Sequence, residues 1–241
     1  MGVTVRIPAV LRALVGGRAE LAAPAGLLRD VLDAIGRESP ELLSRVLAQE
    51  GSLRRHVNVF VNEEDVRFRE LLDTPVREGD CVTIVPSLAG GGWVRTRIEV
   101  DPALDPVVLP TSVLNEIFAH AREAEPEECC GLITGGDDAR YQHVVRCRND
   151  MTRWHERDPE TYPRDGTQGF YMNEQDYLRA DEEASARGGR TTCVYHSHVE
   201  CGAYFSEMDQ DFALQELFPF PGADHLVVAV IGGKVVDDDR R

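Results

Sequence analysis

The chain has 241 residues with 42 acidic and 26 basic side chains, so its formal net charge is −16 at pH 7. A protein this acidic is repelled by phosphate backbones and anionic lipid, which excludes nucleic acid and membrane surfaces as expected partners. No apolar run approaches the roughly 18–20 residues that cross a bilayer, and no signal peptide precedes the first strand. We therefore expect a cytoplasmic protein whose six cysteines are reduced, since no CxxC pair occurs.

The charge is divided unevenly along the chain. Residues 1–92 carry 11 arginines and 13 acidic residues, whereas the remainder carries 15 basic and 29 acidic residues. Lys234 is the only lysine. The first part of the chain is therefore nearly neutral and offers no side-chain amine on which a polymeric modifier could be built.

The first 90 residues predict a small sheet wrapped on one helix. Apolar alternation predicts the strands, and apolar residues at helical spacing predict the helices. The predicted elements are strands at residues 3–7 and 19–22, helices at 27–35 and 40–48, and strands at 57–61, 66–68 and 82–85. Their order is that of a β-grasp sheet, and a glycine-rich segment at 86–92 ends it.

After this segment the pattern restarts as a second, α/β module. The predicted elements are strands at residues 95–100 and 106–109, a helix at 113–121, a strand at 130–134, a helix at 174–187, a strand at 191–195, a helix at 206–218 and a strand at 225–231. Residues 151–169 are polar and unperiodic, so we expect a long loop. Its aromatic residues either grip an extended tail or form a surface insertion. The predicted organisation is α+β, with domains at 1–91 and 97–241 and a linker at 92–96.

The strongest chemical signal is His196-Ser197-His198, followed after seven residues by Ser206-Glu207-Met208-Asp209. Alternate residues of a strand project to one face, so the two imidazoles can share one ion. Asp209 falls in the first turn of the next predicted helix, where its carboxylate can turn back towards the strand. Two histidines and one carboxylate leave a fourth tetrahedral position open, which is the ligand set of a catalytic zinc site.

Two other interpretations of these residues stay open. Ser206 and Asp209 also fit a helix capping box, a role that is compatible with metal binding by Asp209. Cys201 lies between the ligands and is a rival fourth ligand. A thiolate there would close the site and suppress hydrolysis, which disfavours this alternative.

Together with the segment Pro-Glu-Glu-Cys-Cys-Gly at 126–131, the motif resembles the JAMM (MPN-plus) zinc metallopeptidases, whose signature is Glu, then HxH, then SxxD. The resemblance covers about residues 95–235. It implies Zn²⁺ at His196, His198 and Asp209. It also implies Glu128 as general base, with Glu127 as its rival, and Ser206 as the hydroxyl that helps to hold the oxyanion. Proline often follows the second histidine in this family, and here valine does.

Residues 1–91 resemble the β-grasp sulfur carriers of the MoaD/ThiS/CysO type. The resemblance is carried by Val-Asn-Val-Phe-Val-Asn-Glu-Glu-Asp-Val-Arg-Phe at 57–68 and by the ending Leu-Ala-Gly-Gly at 88–91. In such carriers the carboxylate of the second glycine is adenylated and converted to a thiocarboxylate. The resemblance thus implies Gly90 and Gly91 as the functional tail, and a carrier-activating adenylyltransferase and a cysteine synthase as partners. A glycine-rich linker is the alternative interpretation.

The fusion joins a carrier tail to a module that resembles enzymes which cut after such tails. We expect hydrolysis of the amide bond after Gly91, in cis or in trans, and release of cysteine or similar adducts. Carrier tails and their cysteine or protein adducts are the expected partners, and the oligomeric state, including a homo-oligomer, stays open. One alternative is a deconjugating isopeptidase with the first module as a recognition or inhibitory domain. The other is a non-catalytic scaffold that protects the tail.

Overall fold

The computed structural model of the chain describes residues 2–54, 57–90, 107–215 and 217–236. They divide into two compact units, one within Met1–Ser87 plus Glu216–Pro219 and the other within Leu88–Gln215 plus Phe220–Arg241. The predicted α+β class is confirmed. All six cysteines are free thiols. None of the helices in the described ranges is long and apolar enough to cross a membrane.

The first unit contains a five-stranded sheet with a helix against it. Its elements are β1 (Val3–Arg6), a 3-10 helix (Ala9–Val15), β2 (Glu20–Ala23), β3 (Gly26–Leu27), α1 (Leu28–Glu38), α2 (Pro40–Val46), β4 (Val57–Val61), β5 (Glu64–Asp65), two 3-10 turns (Val66–Phe68, Leu71–Asp73), β6 (Pro75–Val76) and β7 (Cys81–Pro86). The sheet order is β2-β1-β7-β4-β5, with β1 and β7 parallel. This arrangement is the predicted β-grasp fold.

Helix α1 covers the sheet with one apolar stripe. Leu28, Val31, Leu32 and Ile35 recur at helical spacing and are all buried. Together with the inward residues of the strands they form one core, to which Leu217 from the segment Glu216–Pro219 also belongs. The first unit is therefore stabilised mainly by burial of aliphatic side chains.

The strand predicted at residues 66–68 is wrong, because this segment is a 3-10 turn. The Asp65 side chain accepts a hydrogen bond from the Arg67 backbone N–H (2.8 Å). A short aspartate next to its own backbone competes with a strand ladder in this way.

The second unit is built around another five-stranded sheet. Its elements are β8 (Leu88–Gly90), α3 (Thr111–Ala124), β9 (Cys130–Gly135), β10 (His143–Cys147), α4 (Met151–Arg157), β11 (Phe170–Met172), α5 (Glu174–Ala186), β12 (Arg190–Val199), α6 (Glu207–Ala213), β13 (Asp224–Ile231) and β14 (Lys234–Val236). The sheet order is β10-β9-β12-β13-β14, with β12 and β13 parallel. Strands β8 and β11 form a separate two-stranded sheet.

Several predictions for this unit need correction or stay open. The expected loop at 151–169 contains helix α4, whose buried Met151 and Trp154 lie one turn apart and anchor it. Helix α6 ends at Ala213, several residues before the predicted end at 218, and residues 107–109 are not a strand. The predicted strand at 95–100 and the linker at 92–96 lie outside the described residues, so the domain boundary at 91 stays a prediction.

Candidate metal centre

The two histidines of the motif lie on β12, the central strand of the second sheet. Strand β12 pairs with β9 on one side and β13 on the other, so the backbone at His196 is held from both sides. His196 and His198 are buried, and their Nε2 atoms are 3.3 Å apart. The two-residue repeat of the strand therefore brings both imidazoles to one point, as the sequence predicted.

A backbone contact sets the orientation of His198. Its Nδ1 lies 3.0 Å from the carbonyl oxygen of Gly202. Since a carbonyl oxygen only accepts hydrogen bonds, Nδ1 carries the proton and Nε2 keeps a free lone pair that points to the site. Burial lowers the pKa of His198 to about 4, and the neighbouring His196 acts in the same direction. The ring is thus neutral at pH 7, which is the form that binds metals.

Asp209 completes the triad from the first turn of α6. Its Oδ2 lies 3.5 Å from His196 Nε2 and 3.9 Å from His198 Nε2. Oδ2 also accepts hydrogen bonds from the Ser206 backbone N–H (2.8 Å) and from Ser206 Oγ (2.6 Å). The capping box predicted from the sequence is therefore formed, and it fixes the carboxylate that faces the histidines.

The spacing of these three side chains fits a single zinc ion. Ligand atoms at about 2.0–2.1 Å from a tetrahedral zinc are about 3.3 Å apart. The observed 3.3 Å between the two Nε2 atoms and 3.5 Å from His196 Nε2 to the carboxylate match this geometry, whereas the 3.9 Å from His198 Nε2 to the carboxylate is longer. Within the described part of the chain, His196, His198 and Asp209 are the group of this kind that could hold a metal ion.

The structure separates Glu128 from its rival Glu127. Glu127 accepts a hydrogen bond from Thr152 Oγ1 (2.5 Å) and is partly exposed. Glu128 is 3% exposed, and its Oε2 has no hydrogen-bond partner among the described residues. Burial, followed by the charge of Asp209, raises the pKa of Glu128 well above its ordinary value. A cation held by the triad would favour the ionised carboxylate that a general base needs.

Sequence reasoning missed the residues that hold Glu128 in place. Ser197, between the two histidines, accepts a hydrogen bond through Oγ from the Cys129 backbone N–H (2.7 Å). Asn149 Nδ2 donates to the Glu128 carbonyl oxygen (3.0 Å), and the Glu128 N–H donates to the Gly166 carbonyl oxygen (2.7 Å). Three distant segments thus fix the backbone at Glu128. The sequence did offer a signal for Ser197. It is a polar residue between the two histidines of a buried strand, where a hydrogen-bond partner is needed.

Cys201 does not join the triad. It is partly buried, and burial, followed by the charge of Glu128, raises the pKa of its thiol. A protonated thiol is a poor zinc ligand. Glu200, just before it, has a left-handed backbone (φ 56°), and its N–H donates to the Val230 carbonyl oxygen (2.8 Å). Among the described residues, no fourth protein ligand joins His196, His198 and Asp209.

Leu88–Gly90, part of the predicted carrier tail, forms a strand in this unit. In the antiparallel pair of β8 and β11, Leu88 lies opposite Met172, Ala89 opposite Tyr171 and Gly90 opposite Phe170. The Phe170 ring lies 4.7 Å from the His196 ring, measured between centroids. The backbone of Gly90 is therefore paired with a residue that contacts a triad histidine, whereas Gly91 lies outside the described residues.

An aromatic cluster supports the strand that pairs with the tail. Trp154 lies 5.5 Å from Tyr171 and 5.5 Å from Tyr162 between ring centroids, and Tyr162 lies 6.0 Å from Tyr171. Such aromatic pairs contribute beyond the area they bury. The sequence left open whether Trp154, Tyr162 and Phe170 grip a tail or belong to a surface insertion. Phe170 belongs to the strand that pairs with Leu88–Gly90, and Trp154 and Tyr162 pack against Tyr171 of that strand.

Two family models match the chain. The model described as prokaryotic homologs of the JAB domain matches residues 110–241, and that of the ThiS family matches residues 5–91. Both resemblances noted in the sequence are thereby confirmed.

Curated relatives match the two parts separately. The sulfur carrier protein CysO of Mycobacterium tuberculosis is 40% identical over 93 residues, which span 38% of this chain and 100% of that protein. The CysO-cysteine peptidase of the same organism is 30% identical over 125 residues, which span 51% of this chain and 73% of that protein. Among solved structures, the Amycolatopsis orientalis BexX/CysO complex matches with 39% identity and a TM-score of 0.35, covering 37% of this chain and 99% of that one.

Proposed function

Because the chain belongs to the prokaryotic JAB family and joins to it a ThiS-family carrier module, we propose that it is a zinc-dependent peptidase acting on carrier tails. Its reaction is hydrolysis of the amide bond after the second glycine, with release of cysteine or a similar adduct in sulfur transfer. The similarity to a carrier and to a CysO-cysteine peptidase supports this substrate class. A carrier-activating adenylyltransferase and a cysteine synthase are the proposed partners.

One observation carries the proposal. The chain's own Leu88–Gly90 runs as a strand along β11, and Phe170 of β11 contacts His196. Strand addition holds an extended segment through its backbone, which suits a tail that ends in residues without side chains. The pairing of Gly90 with a residue whose ring contacts His196 supports the proposal that the bond after the second glycine is the one hydrolysed.

The residues of the site divide the chemistry between them. His196, His198 and Asp209 would hold the zinc ion, which supplies Lewis-acid chemistry by polarising the scissile carbonyl and acidifying water. Glu128 accepts a proton from the attacking water and then donates it to the leaving amine. The ionised carboxylate is thereby regenerated at the end of the reaction. The Ser206 hydroxyl, which donates to Asp209 Oδ2 in this structure, is assigned the role of turning to the carbonyl oxygen and holding the charge that develops there.

The proposal is tested with the full-length protein, zinc and the peptide Ser-Leu-Ala-Gly-Gly-Cys. We expect cysteine release from the peptide, and intact mass reports any cleavage after Gly91 in the protein itself. The Glu128→Gln variant loses about 10²- to 10⁴-fold in rate, the range of general-base catalysis. Glu127→Gln is the matched control and keeps the rate within a few-fold, because its carboxylate bonds to Thr152.

The alternatives predict other results. A deconjugating isopeptidase hydrolyses Gly-Gly linked to a lysine side chain faster than Gly-Gly-Cys. A scaffold binds well below one zinc per chain and cleaves nothing. Equal rates for the wild type and Glu128→Gln contradict the proposal. Dilution separates cleavage in cis from cleavage in trans, since an intramolecular rate is independent of concentration.

A further inference from the structure

One edge of strand β11 is closed by the segment that follows β10. The Tyr171 N–H donates to Asn149 Oδ1 (2.9 Å), and the Tyr171 carbonyl oxygen accepts from the Asp150 N–H (2.8 Å). Backbone groups of alternate strand residues point to opposite edges, so the neighbours Phe170 and Met172 present theirs to the other edge. Strand β8 lies on that edge. Strand β11 therefore has one edge for an added strand, and the chain's own tail takes it.

The edge that faces β8 is built to be filled. Phe170 and Met172 are buried, and buried backbone groups need hydrogen-bond partners. In the register of the pair, Gly90 lies opposite Phe170 and Leu88 opposite Met172. Helix α6, which carries Asp209, lies against β8 as well. An extended segment in this position is thus contacted by β11 and by α6, and each of these elements has a residue at the triad or in contact with it.

The segment Leu88–Gly90, here called the resident tail, is short and close to its own attachment point. It has three residues, and Ser87 alone separates it from β7. A segment held by such a short link competes at an effective concentration of about millimolar, whatever the protein concentration. A pairing of three residues makes few backbone hydrogen bonds, and a second tail of the same sequence can replace each of them.

We propose that the resident tail is an intramolecular competitor, which keeps the tails of other carrier molecules out of the site until it leaves β11. The incoming partner is the extended Leu-Ala-Gly-Gly tail of a separate carrier molecule. Two strands cannot pair with one edge at the same time, so the resident and incoming tails exclude each other. This role rests on the proposed function, because carrier tails are its substrates.

The test measures binding of the fluorescein-labelled peptide Ser-Leu-Ala-Gly-Gly to the full-length, metal-free protein by fluorescence anisotropy. Leu88→Ala weakens the resident tail, because loss of most of a buried leucine side chain costs binding about tenfold or more. The Kd of the peptide should therefore fall by about tenfold in this variant. The same replacement in the peptide, Ser-Ala-Ala-Gly-Gly, should raise its Kd by about tenfold. A merely structural role of Leu88 does not predict these opposite signs.

A second variant and a control keep the measurement decisive. Gly90→Pro removes the backbone N–H opposite Phe170, so it should also lower the Kd of the peptide. It decides the question if Leu88→Ala does not fold. Leu71→Ala, at an exposed leucine of the first unit, should keep the wild-type Kd. An unchanged or raised Kd in the folded tail variants would overturn the competition.

Hydrolysis with zinc distinguishes failure of this role from failure of the proposed function. The tail variants should hydrolyse Ser-Leu-Ala-Gly-Gly-Cys with a higher kcat/KM than the wild type. Tighter peptide binding by the variants without any hydrolysis supports the competition and overturns the proposed function. Hydrolysis with the same kcat/KM in the wild type and the tail variants overturns the competition and leaves the proposed function standing.

Discussion

The two units differ in what they bury. The first unit packs an aliphatic core of valine, leucine and isoleucine between α1 and its sheet. The second unit also has an apolar core, but it buries Glu128, His196, His198 and Asp209 at one end of the sheet. Burying polar and charged groups costs stability unless they are paired or bind a metal. Proteins keep such arrangements where function requires them, which is why we place the proposed chemistry in the second unit.

The largest expected effect concerns the metal. Zinc at 1,000 times its Kd stabilises a protein by about 4 kcal/mol, so it should raise the unfolding temperature of the second unit and leave the first unchanged. His196→Ala should abolish this zinc-dependent shift and lower the bound zinc to well below one ion per chain. Calorimetry with and without a chelator checks the prediction. The exposed His143→Gln is the control, and a zinc shift that persists in His196→Ala would place the metal elsewhere.

A core substitution should affect the first unit alone. Leu32 on α1 is fully buried, so Leu32→Ala is expected to cost about 2–5 kcal/mol of its unfolding free energy. Denaturant unfolding measures this cost, while the zinc-dependent transition of the second unit should stay where it is. Leu71→Ala, at a side chain that is 51% exposed, should change stability by less than about 1 kcal/mol. A shift of both transitions by Leu32→Ala would show that the units unfold as one.

Shortening the leucine side chain of the tail strand should have a smaller effect than the metal and core substitutions, and it should act on substrate binding. Leu88 is 2% exposed, and loss of most of a leucine side chain from a buried site costs about 1.5–3 kcal/mol. The peptide Ser-Ala-Ala-Gly-Gly-Cys should therefore have a KM about ten- to a hundredfold above that of Ser-Leu-Ala-Gly-Gly-Cys. An equal KM for both peptides would exclude the Leu88 position from tail recognition.

The smallest effect is a pH dependence of the second unit. Burial, followed by Arg146, lowers the pKa of His120 to about 4, whereas an unfolded histidine titrates at about 6.5. Between these values the unfolded state binds more protons, so stability falls as the pH drops from about 6.5 to 4.

The variant His120→Gln should reduce this slope in metal-free protein, measured by urea unfolding at pH 7, 6 and 5. It should not abolish the slope, because burial also lowers the pKa of His198 and of His225 to about 4. Gln can keep the bond that His120 Nδ1 makes to Tyr195 Oη (2.9 Å). The first unit, in which the sequence has one histidine (His56), supplies the internal comparison. An unchanged slope would assign the pH dependence to other groups.

The sequence alone determined the two modules and most of the site. Strand and helix periodicity are local, so the β-grasp order, the shared face of His196 and His198 and the Ser206–Asp209 cap followed from spacing. Glu128 followed from the motif resemblance. The hydrogen bonds that hold Glu128 in place could not be predicted from the sequence. Cys129 and Ser197, for example, become neighbours only when β9 pairs with β12.

Only the tertiary structure decided how the tail and the polar segment meet the site. Strands β8 and β11 have three residues each, too few for a periodic signal, and their pairing joins residues about 80 positions apart. Helix α4 was hidden in a polar segment because two buried residues suffice to anchor it. Gly166 had no local motif at all. Its missing side chain permits the close approach of Glu127 and Thr152, and its carbonyl oxygen accepts the bond from the Glu128 N–H.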